Sequence, residues 1–176
     1  MALNIPLVND QTPKTFWKML NLEASQLSLP ESQNLLKGSL GAYVLLQTLA
    51  QYFSHSLAVS IFYGVSSAIV LFAATFYLLR YLKQEDKFVK TLAAMAVMGA
   101  LGAFAYIVLH LIVGVALPPP LPTERLARFL LFPIIIWTLF MYAFLLRHVS
   151  LRPIPAFVIA ALYVLVIEVI LSALKF

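Results

Sequence analysis

Four polar residues that interrupt apolar segments are the candidates for chemistry in this chain. Glu168 is the only charged residue in the apolar run 165–170, His110 lies in a second apolar run, and Gln47 and Gln51 lie in a third. An ionised carboxylate surrounded by hydrocarbon is too costly to persist, so Glu168 must be paired, protonated or close to water. Polar residues in such surroundings are expected either to serve a function or to join helices.

The usual catalytic and cofactor-binding patterns are absent from the sequence. It contains no cysteine, which excludes disulfides, thiolate nucleophiles and cysteine-ligated metals. No two of the three histidines, His55, His110 and His148, have the spacing that would place a pair of haem ligands on one helix face. The sequence also has no phosphate-binding glycine loop, no HExxH segment and no paired carboxylates. We therefore expect a protein that is not an enzyme and has neither a cofactor nor a metal.

The composition indicates that lipid is the solvent for most of the chain. Of the 176 residues, 62% are hydrophobic and 11% are charged, whereas a water-soluble domain has roughly 25% charged residues. The formal net charge of +5 would also suit a nucleic-acid partner, but basic cytoplasmic loops of a membrane protein account for it. We predict an integral membrane protein in contact with the lipid bilayer, with no nucleic-acid partner.

Breaks in the apolar sequence divide it into five predicted spans. The polar triplet 54–56, the charged loop 83–90, the proline run 118–122 and the basic loop 147–152 separate them. The proline run favours a stiff, extended connection. The predicted fold class is all-α, with residues 1–35 as an arm and residues 36–176 as a bundle of five transmembrane helices. The spans are expected near residues 36–53, 57–80, 91–116, 127–146 and 154–173.

The arm contains a predicted amphipathic helix at residues 13–29. Its membrane-surface residues are expected to be Phe16, Trp17, Lys18 and Leu20, because Trp and Lys beside a membrane domain are typical of a helix in the headgroup layer. The same pattern fits a helix that packs against the cytoplasmic end of the bundle. Both interpretations stay open on the sequence alone.

The distribution of basic residues predicts the orientation in the membrane. With a cytoplasmic N-terminus, nine of the 12 Lys and Arg residues lie on the cytoplasmic side, as the positive-inside rule requires. If residues 36–53 did not span the membrane, the two sides would carry equal numbers. We therefore predict a cytoplasmic N-terminus and an external C-terminus.

The four polar residues are expected to form one cluster. At about 1.5 Å of helix per residue, Gln51, His110 and Glu168 lie roughly 22, 28 and 21 Å from the cytoplasmic ends of their spans. This shared depth predicts an intramembrane cluster of Gln47, Gln51, His110 and Glu168 in which His110 or a glutamine satisfies the carboxylate. The cluster could join helices, at about 0.6 kcal/mol per hydrogen bond, or form a proton or substrate relay.

Small residues and aromatic residues carry two further predictions. Small residues spaced by about one helical turn allow helices to approach closely. The expected helix-packing residues are Gly64, Ser67, Gly99, Gly102, Ala103 and Gly114. Several aromatic residues near the span ends are interpreted as belts at the membrane surfaces, in a set that contains Tyr43, Tyr52, Tyr63, Tyr77, Tyr81, Trp137 and Tyr142.

Four features of the second half of the chain carry a family resemblance: the segment 88–93, Trp137, the turn 148–151 and the segment 164–171. Over roughly residues 57–175 the chain resembles the bacterial branch of the Yip (Ypt-interacting protein) family. The resemblance implies five helices with a cytoplasmic N-terminus, and with it we expect the chain to lie in a bacterial inner membrane. The eukaryotic branch is linked to small GTPases, but its Asp-Leu-Tyr-Gly-Pro motif is absent here, which argues against a GTPase partner.

Two functions are compatible with these features. The favoured one is a non-enzymatic interaction or scaffold subunit that organises membrane assembly or lipid distribution, as a homo-oligomer or with other membrane protein subunits. Its contact surfaces would be the small-residue faces and the arm. The alternative is a small transporter, or the substrate subunit of a transporter, with the Gln/His/Glu cluster as its polar site.

Overall fold

The computed structural model describes residues 11–21, 25–116 and 123–173, and this part of the chain forms six α-helices. The five predicted spans match α2–α6 to within four residues at each end, which confirms the all-helical architecture. The predicted proline connection at 118–122 lies outside the described residues. The helices are α1 (Gln11–Leu20), α2 (Gln33–Tyr52), α3 (Leu57–Tyr81), α4 (Phe88–Ala116), α5 (Thr123–Arg147) and α6 (Pro153–Ala173).

Local sequence signals set the ends of these helices. Ser32 caps α2, because its Oγ accepts a hydrogen bond from the Leu35 amide at 3.4 Å. α6 begins at Pro153, where the missing amide hydrogen costs nothing. The turns before α4 and α6 each contain a residue in the left-handed region, Lys83 with φ 54° and Ser150 with φ 71°. Short turns of this kind make consecutive helices antiparallel neighbours.

Three stretches among the described residues are long and apolar enough to cross a membrane: Leu57–Tyr81, Glu85–Gly114 and Phe129–Arg147. A shorter apolar helix covers Pro153–Ile167. These findings agree with the prediction of a membrane protein.

The two faces of the third helix, α3, have the distribution of residues that is typical of a helix in contact with lipid. Its inward face carries mostly small or hydroxylated residues, whereas its outward face carries large apolar ones. The reverse arrangement is typical of a water-soluble helix, and so large an exposed apolar surface requires a covering. The buried residues are Ser60, Tyr63, Gly64, Ser67, Leu71, Thr75 and Leu79, and the exposed ones include Leu57, Ile61, Phe62, Val65, Ile69 and Phe72.

The bundle is a ring of five helices in the order α2, α3, α6, α5, α4. α4 packs most extensively against α2 and α5 and also touches α3, whereas α6 packs against α5 and α3. The α2–α3 turn at residues 53–56 lies at one end of the bundle, which we call the turn end. The α3–α4 loop, the α5–α6 loop and the arm lie at the opposite end, which we call the arm end.

The arm packs against the bundle. Met19 is completely buried, and Phe16 and Leu20 lie against the same hydrophobic core, whereas Trp17 and Lys18 are exposed. α1 thus adopts the bundle-packed arrangement while it keeps one face open.

A 3₁₀ turn at Gln26–Ser28 completes the arm and is held by a buried hydrogen bond. The Gln26 side-chain amide, which is fully buried, donates to the backbone carbonyl of Leu145 at 2.7 Å. Leu145 lies in the last turn of α5, where carbonyl groups lack partners within the helix. Gln26 therefore supplies a capping donor to α5 and fixes the arm to the bundle.

Candidate functional site

A cavity of about 450 Å³ lies between α2–α6 toward the turn end of the bundle. This volume falls within the range of roughly 300–1,000 Å³ that is usual for small-molecule sites. Every helix of the bundle contributes to its wall. The lining residues are Tyr43, Gln47, Ala50, Gln51, Ser54, His55, Tyr63, Gly99, Gly102, Ala103, Tyr106, Leu131, Ile134, Ile135, Thr138, Tyr142, Val164 and Ile167.

The wall of the cavity is rich in uncharged polar groups. Half of the lining residues carry a hydroxyl, an amide or an imidazole, and none of the described lining residues is Asp, Glu, Lys or Arg. Such groups both donate and accept hydrogen bonds. The polar lining residues are Tyr43, Gln47, Gln51, Ser54, His55, Tyr63, Tyr106, Thr138 and Tyr142.

Two buried tyrosines form the inner end of the cavity. Tyr43 and Tyr142 are 1% and 2% exposed. Both fit there because Gly99 has no side chain. A Cβ atom on Gly99 would lie 2.5 Å from the Tyr142 hydroxyl and 2.5 Å from Cε2 of Tyr43. A glycine at this position of α4 therefore makes room for both rings.

Toward the arm end, Tyr142 of the cavity packs against Tyr163, and the Tyr163 hydroxyl joins α6 to α3. The rings of Tyr142 and Tyr163 are 6.4 Å apart, edge to face. The Tyr163 hydroxyl donates to Oγ1 of Thr75 at 3.2 Å, and Thr75 donates to the Leu71 carbonyl at 2.7 Å. Closer to the arm end, Leu79, Leu92 and Leu146 are buried and do not line the cavity. The cavity is therefore closed toward the arm end.

α5 lines the cavity with the segment around Pro133. Because Pro133 has no amide hydrogen, the carbonyl of Phe129 loses its usual partner within the helix. The Thr138 hydroxyl donates to the Ile134 carbonyl at 2.9 Å. A Cβ atom on Gly102 of α4 would lie 2.8 Å from this hydroxyl, so α4 and α5 are in close contact here.

The structure brings two of the four predicted cluster residues together. Gln47 and Gln51 both line the cavity. His110 is not among the lining residues, and its ring packs against Phe53 and Tyr106, with ring centroids 4.7 and 5.9 Å away. Its buried Nδ1 atom has no hydrogen-bond partner among the described residues. The side chain of Glu168 lies outside the described residues, although its backbone belongs to α6 directly after Ile167.

The predicted helix-packing residues occupy two contacts within the chain. On α3, Gly64 faces α2: a Cβ atom there would lie 2.8 Å from the Val44 carbonyl and would collide with Thr48 Oγ1. Ser67 is buried, and its hydroxyl donates to the Gly64 carbonyl at 3.0 Å. On α4, Gly99 and Gly102 face side chains of α2 and α5, and both line the cavity together with Ala103.

Gly114 is a different case, because the structure does not place it at a helix contact. It is exposed, and a Cβ atom on it would meet no described atom within 4 Å. The reason is the length of α4. Phe53, just after the end of α2, packs at His110, and Gly114 lies one turn farther along α4. α2 therefore ends before it could pack against Gly114.

The aromatic set that is expected to include membrane-surface belts contains both buried and exposed tyrosines. Tyr43, Tyr63 and Tyr142 are buried at the cavity, whereas Tyr52, Tyr77 and Tyr81 are exposed. The spacing along α2 could have identified Tyr43 as a cavity residue. Tyr43, Gln47 and Gln51 recur every four residues and so share one face of the helix. Thr138 and Tyr142 have the same spacing on α5.

Comparisons with known proteins give no indication of function. No family model, no curated protein and no solved structure matches this chain. The resemblance to the Yip family therefore stays a prediction. Among the described residues, no three His, Asp or Glu side chains come together as a metal site would need.

Proposed function

We propose that this chain is a five-span membrane protein that binds a small molecule in the cavity between α2–α6, as a small transporter or the substrate subunit of one. The observation that carries the proposal is the polar lining of this cavity. Empty cavities in proteins are apolar, because buried polar groups without partners are costly. Tyrosine, glutamine and threonine side chains around one space therefore favour water and a polar ligand as its contents.

The position of α2 supports the count of five spans. α2 packs along both α3 and α4 and contributes four residues to the cavity wall. A helix in this position shares the depth of its neighbours. Its weaker apolar character arises from inward-facing residues such as Gln47 and Gln51, which meet the cavity rather than lipid.

The basic residues of the two loops support a cytoplasmic arm end. Arg80 lies in the last turn of α3 and Lys83 in the loop that follows it. Arg147 is the last residue of α5, and Arg152 lies in the loop before α6. All four are exposed at the arm end. By the positive-inside rule this end faces the cytoplasm, so the cavity lies in the outer half of the membrane.

The close contacts of the glycines on α3 and α4 argue against the scaffold function that the sequence favoured. The glycines at 64, 99 and 102 already pack against the chain's own helices and are not free for a partner. One surface keeps the scaffold as the second candidate: Gly38, Gly41 and Ala42 are exposed on α2, and a Cβ atom at either glycine would meet nothing within 4 Å. Small residues exposed on one helix favour close association with another helix.

Cysteine accessibility tests the proposed cavity, and the absence of natural cysteines makes every introduced thiol unique. Gln47→Cys and Gln51→Cys place thiols in the cavity, whereas Leu45→Cys places one on the exposed face of the same helix. The purified variants would be reconstituted in nanodiscs and treated with the neutral, water-soluble reagent hydroxyethyl methanethiosulfonate. This reagent forms a mixed disulfide with a thiolate and releases methanesulfinate.

Both cavity thiols are expected to react at least about tenfold faster than the Leu45→Cys thiol, because hydrocarbon suppresses the charged thiolate that attacks the reagent. Equal, slow reaction at Gln47→Cys and Leu45→Cys would mean a dry helix contact and would refute the binding function. Under the scaffold function, Gly41→Leu would instead abolish co-purification of a partner or of a second copy and leave the cavity reactivity unchanged.

A further inference from the structure

The charge of the cavity wall restricts what can enter it. Between Gln51 near the opening and Tyr142 at the inner end, the described lining contains no carboxylate, ammonium or guanidinium group. An ion that enters such a space gives up part of its hydration and meets no opposite charge among the described lining residues. That loss costs several kcal/mol for each ion.

The polar groups of the wall can replace the water around an uncharged molecule. Gln47 and Gln51 each offer a carbonyl oxygen and an amide NH₂ group, and Thr138 and the tyrosines offer hydroxyls. The Tyr43 hydroxyl lies next to the side chains of Ser67 and Gln47, so part of this capacity is already in use. The amides and hydroxyls together still present donors and acceptors from both α2 and α5.

We propose that the cavity, in which tyrosine rings and two glutamine amides meet and none of the described lining side chains is an acid or a strong base, takes an uncharged small molecule that bears hydroxyl or amide groups and rejects cations and anions. This inference rests on the proposed binding function. It names a chemical class that includes sugars, polyols and neutral amides. Hydrogen bonds orient such a ligand, and the apolar rings cover its carbon framework.

Three methanethiosulfonate reagents that differ in charge test the inference directly. The hydroxyethyl reagent is neutral, the trimethylammonium-ethyl reagent is a cation and the sulfonatoethyl reagent is an anion. Each would be applied to Gln47→Cys, deep in the cavity, and to Ser54→Cys in the turn at its opening. For each reagent, the rate at Gln47→Cys is divided by the rate at Ser54→Cys. This ratio corrects for differences in intrinsic reactivity between the reagents.

The neutral reagent is expected to give a ratio within about threefold of one, and both charged reagents ratios at least tenfold lower, since about 1.4 kcal/mol of desolvation already accounts for a factor of ten. Ala50→Cys repeats the measurement without the loss of a polar group, which covers the case that Gln47→Cys does not fold. Both positions line the same cavity on α2.

The outcomes separate the inference from the function on which it rests. If a charged reagent reaches Gln47→Cys as readily as the neutral one, the uncharged ligand class is wrong and the aqueous cavity stands. If no reagent reaches Gln47→Cys or Ala50→Cys, the binding function fails together with the inference. A preference for the cation that Glu168→Gln abolishes would also overturn the inference, because it would assign a carboxylate to the cavity.

Discussion

Several buried serine and threonine hydroxyls of this bundle have hydrogen-bond partners, whereas Thr91 Oγ1 has none among the described residues. The hydroxyls of Ser39, Ser60 and Ser67 donate to carbonyl groups of the preceding turn, at 2.9–3.0 Å. Such bonds satisfy the hydroxyl within its own helix, so a buried serine needs no partner on another helix. The bond from Tyr163 to Thr75 is different, because it joins α6 to α3.

Replacement of Tyr163 by Phe tests the value of that interhelical bond. The variant removes one hydroxyl and keeps the ring, and Thr75 retains its bond to the Leu71 carbonyl. The free energy of unfolding is expected to fall by about 0.6 kcal/mol, and by less than about 2 kcal/mol, as for other hydrogen bonds between membrane helices. Unfolding by SDS titration in mixed micelles would measure it.

Tyr77→Phe is the matched control, since Tyr77 is 68% exposed on α3. It should leave the unfolding free energy unchanged. A loss at Tyr77→Phe as large as the loss at Tyr163→Phe would contradict the assignment of the effect to the bond with Thr75.

For single residues, the sequence identifies polar side chains that are rare in apolar segments. It does not identify the other residues that line the same cavity. Gln47 and Gln51 attract attention because amides are rare in apolar segments, and both line the cavity. Tyr43 and Tyr142 do not, because tyrosine is common at membrane surfaces as well as in interiors. His55 gave no signal because it lies in a turn. Which face of a helix points inward depends on the packing of all five helices.

Close contacts between helices depend on particular small residues. α2 and α3 meet at Gly64, where the carbonyl of Val44 leaves no space for a methyl group. Because the obstructing atom belongs to the backbone, a rotamer change cannot relieve the contact. The two helices must separate to accept a side chain.

Gly64→Ala is therefore expected to destabilise the bundle by about 1–3 kcal/mol, the usual cost of overpacking an interior. Gly41→Ala makes the same chemical change on the exposed face of α2, where the new methyl group meets open space. That variant should be neutral or slightly stabilising, since alanine favours helix over glycine by up to about 1 kcal/mol. Thermal unfolding in detergent would compare the two. An equal effect at both positions would argue against the contact.

The arm is attached through one buried polar group, Gln26, which allows a local test. Gln26→Ala removes the bond to the Leu145 carbonyl, although the His148 amide still donates to that carbonyl at 3.1 Å. Because the Leu145 carbonyl keeps a partner, the arm should loosen at a cost of only about 0.5–1.5 kcal/mol, while the bundle stays folded. Hydrogen exchange should accelerate at residues 14–29 and stay unchanged in α4. Gln33→Ala, on the exposed start of α2, is the control.

Helix positions followed from the sequence because long apolar segments and their interruptions determine them. The polar triplet at 54–56 and Pro153 mark helix ends within one or two residues. α2, α4 and α5 begin three or four residues before the apolar segments, because a helix continues beyond the hydrocarbon into polar residues such as Gln33. The order of helices around the ring did not follow from the sequence, since any two apolar faces are compatible.

The whole molecule has two unlike ends. The arm end carries exposed basic residues and the packed arm, and the turn end carries the cavity. If the arm end faces the cytoplasm, a thiol at the turn end is accessible from outside the cell and a thiol at the arm end is not.

Cysteine labelling in intact cells tests this orientation with Ser54→Cys in the α2–α3 turn and Gln84→Cys in the α3–α4 loop. A membrane-impermeant anionic maleimide should label Ser54→Cys only, and Gln84→Cys should react after the membrane is permeabilised. The reverse pattern would invert the orientation and would move the cavity to the cytoplasmic side.

The place of α6 in the ring has a consequence for how the protein is made. α6 leaves the ribosome after α2–α5, yet it lies between α5 and α3 and supplies Val164 and Ile167 to the cavity wall. Until it inserts, Thr75 and Tyr142 face an open side of a four-helix intermediate. A nascent chain stopped before residue 153 would expose these hydroxyls to lipid, which would make it a substrate for membrane chaperones and quality-control proteases.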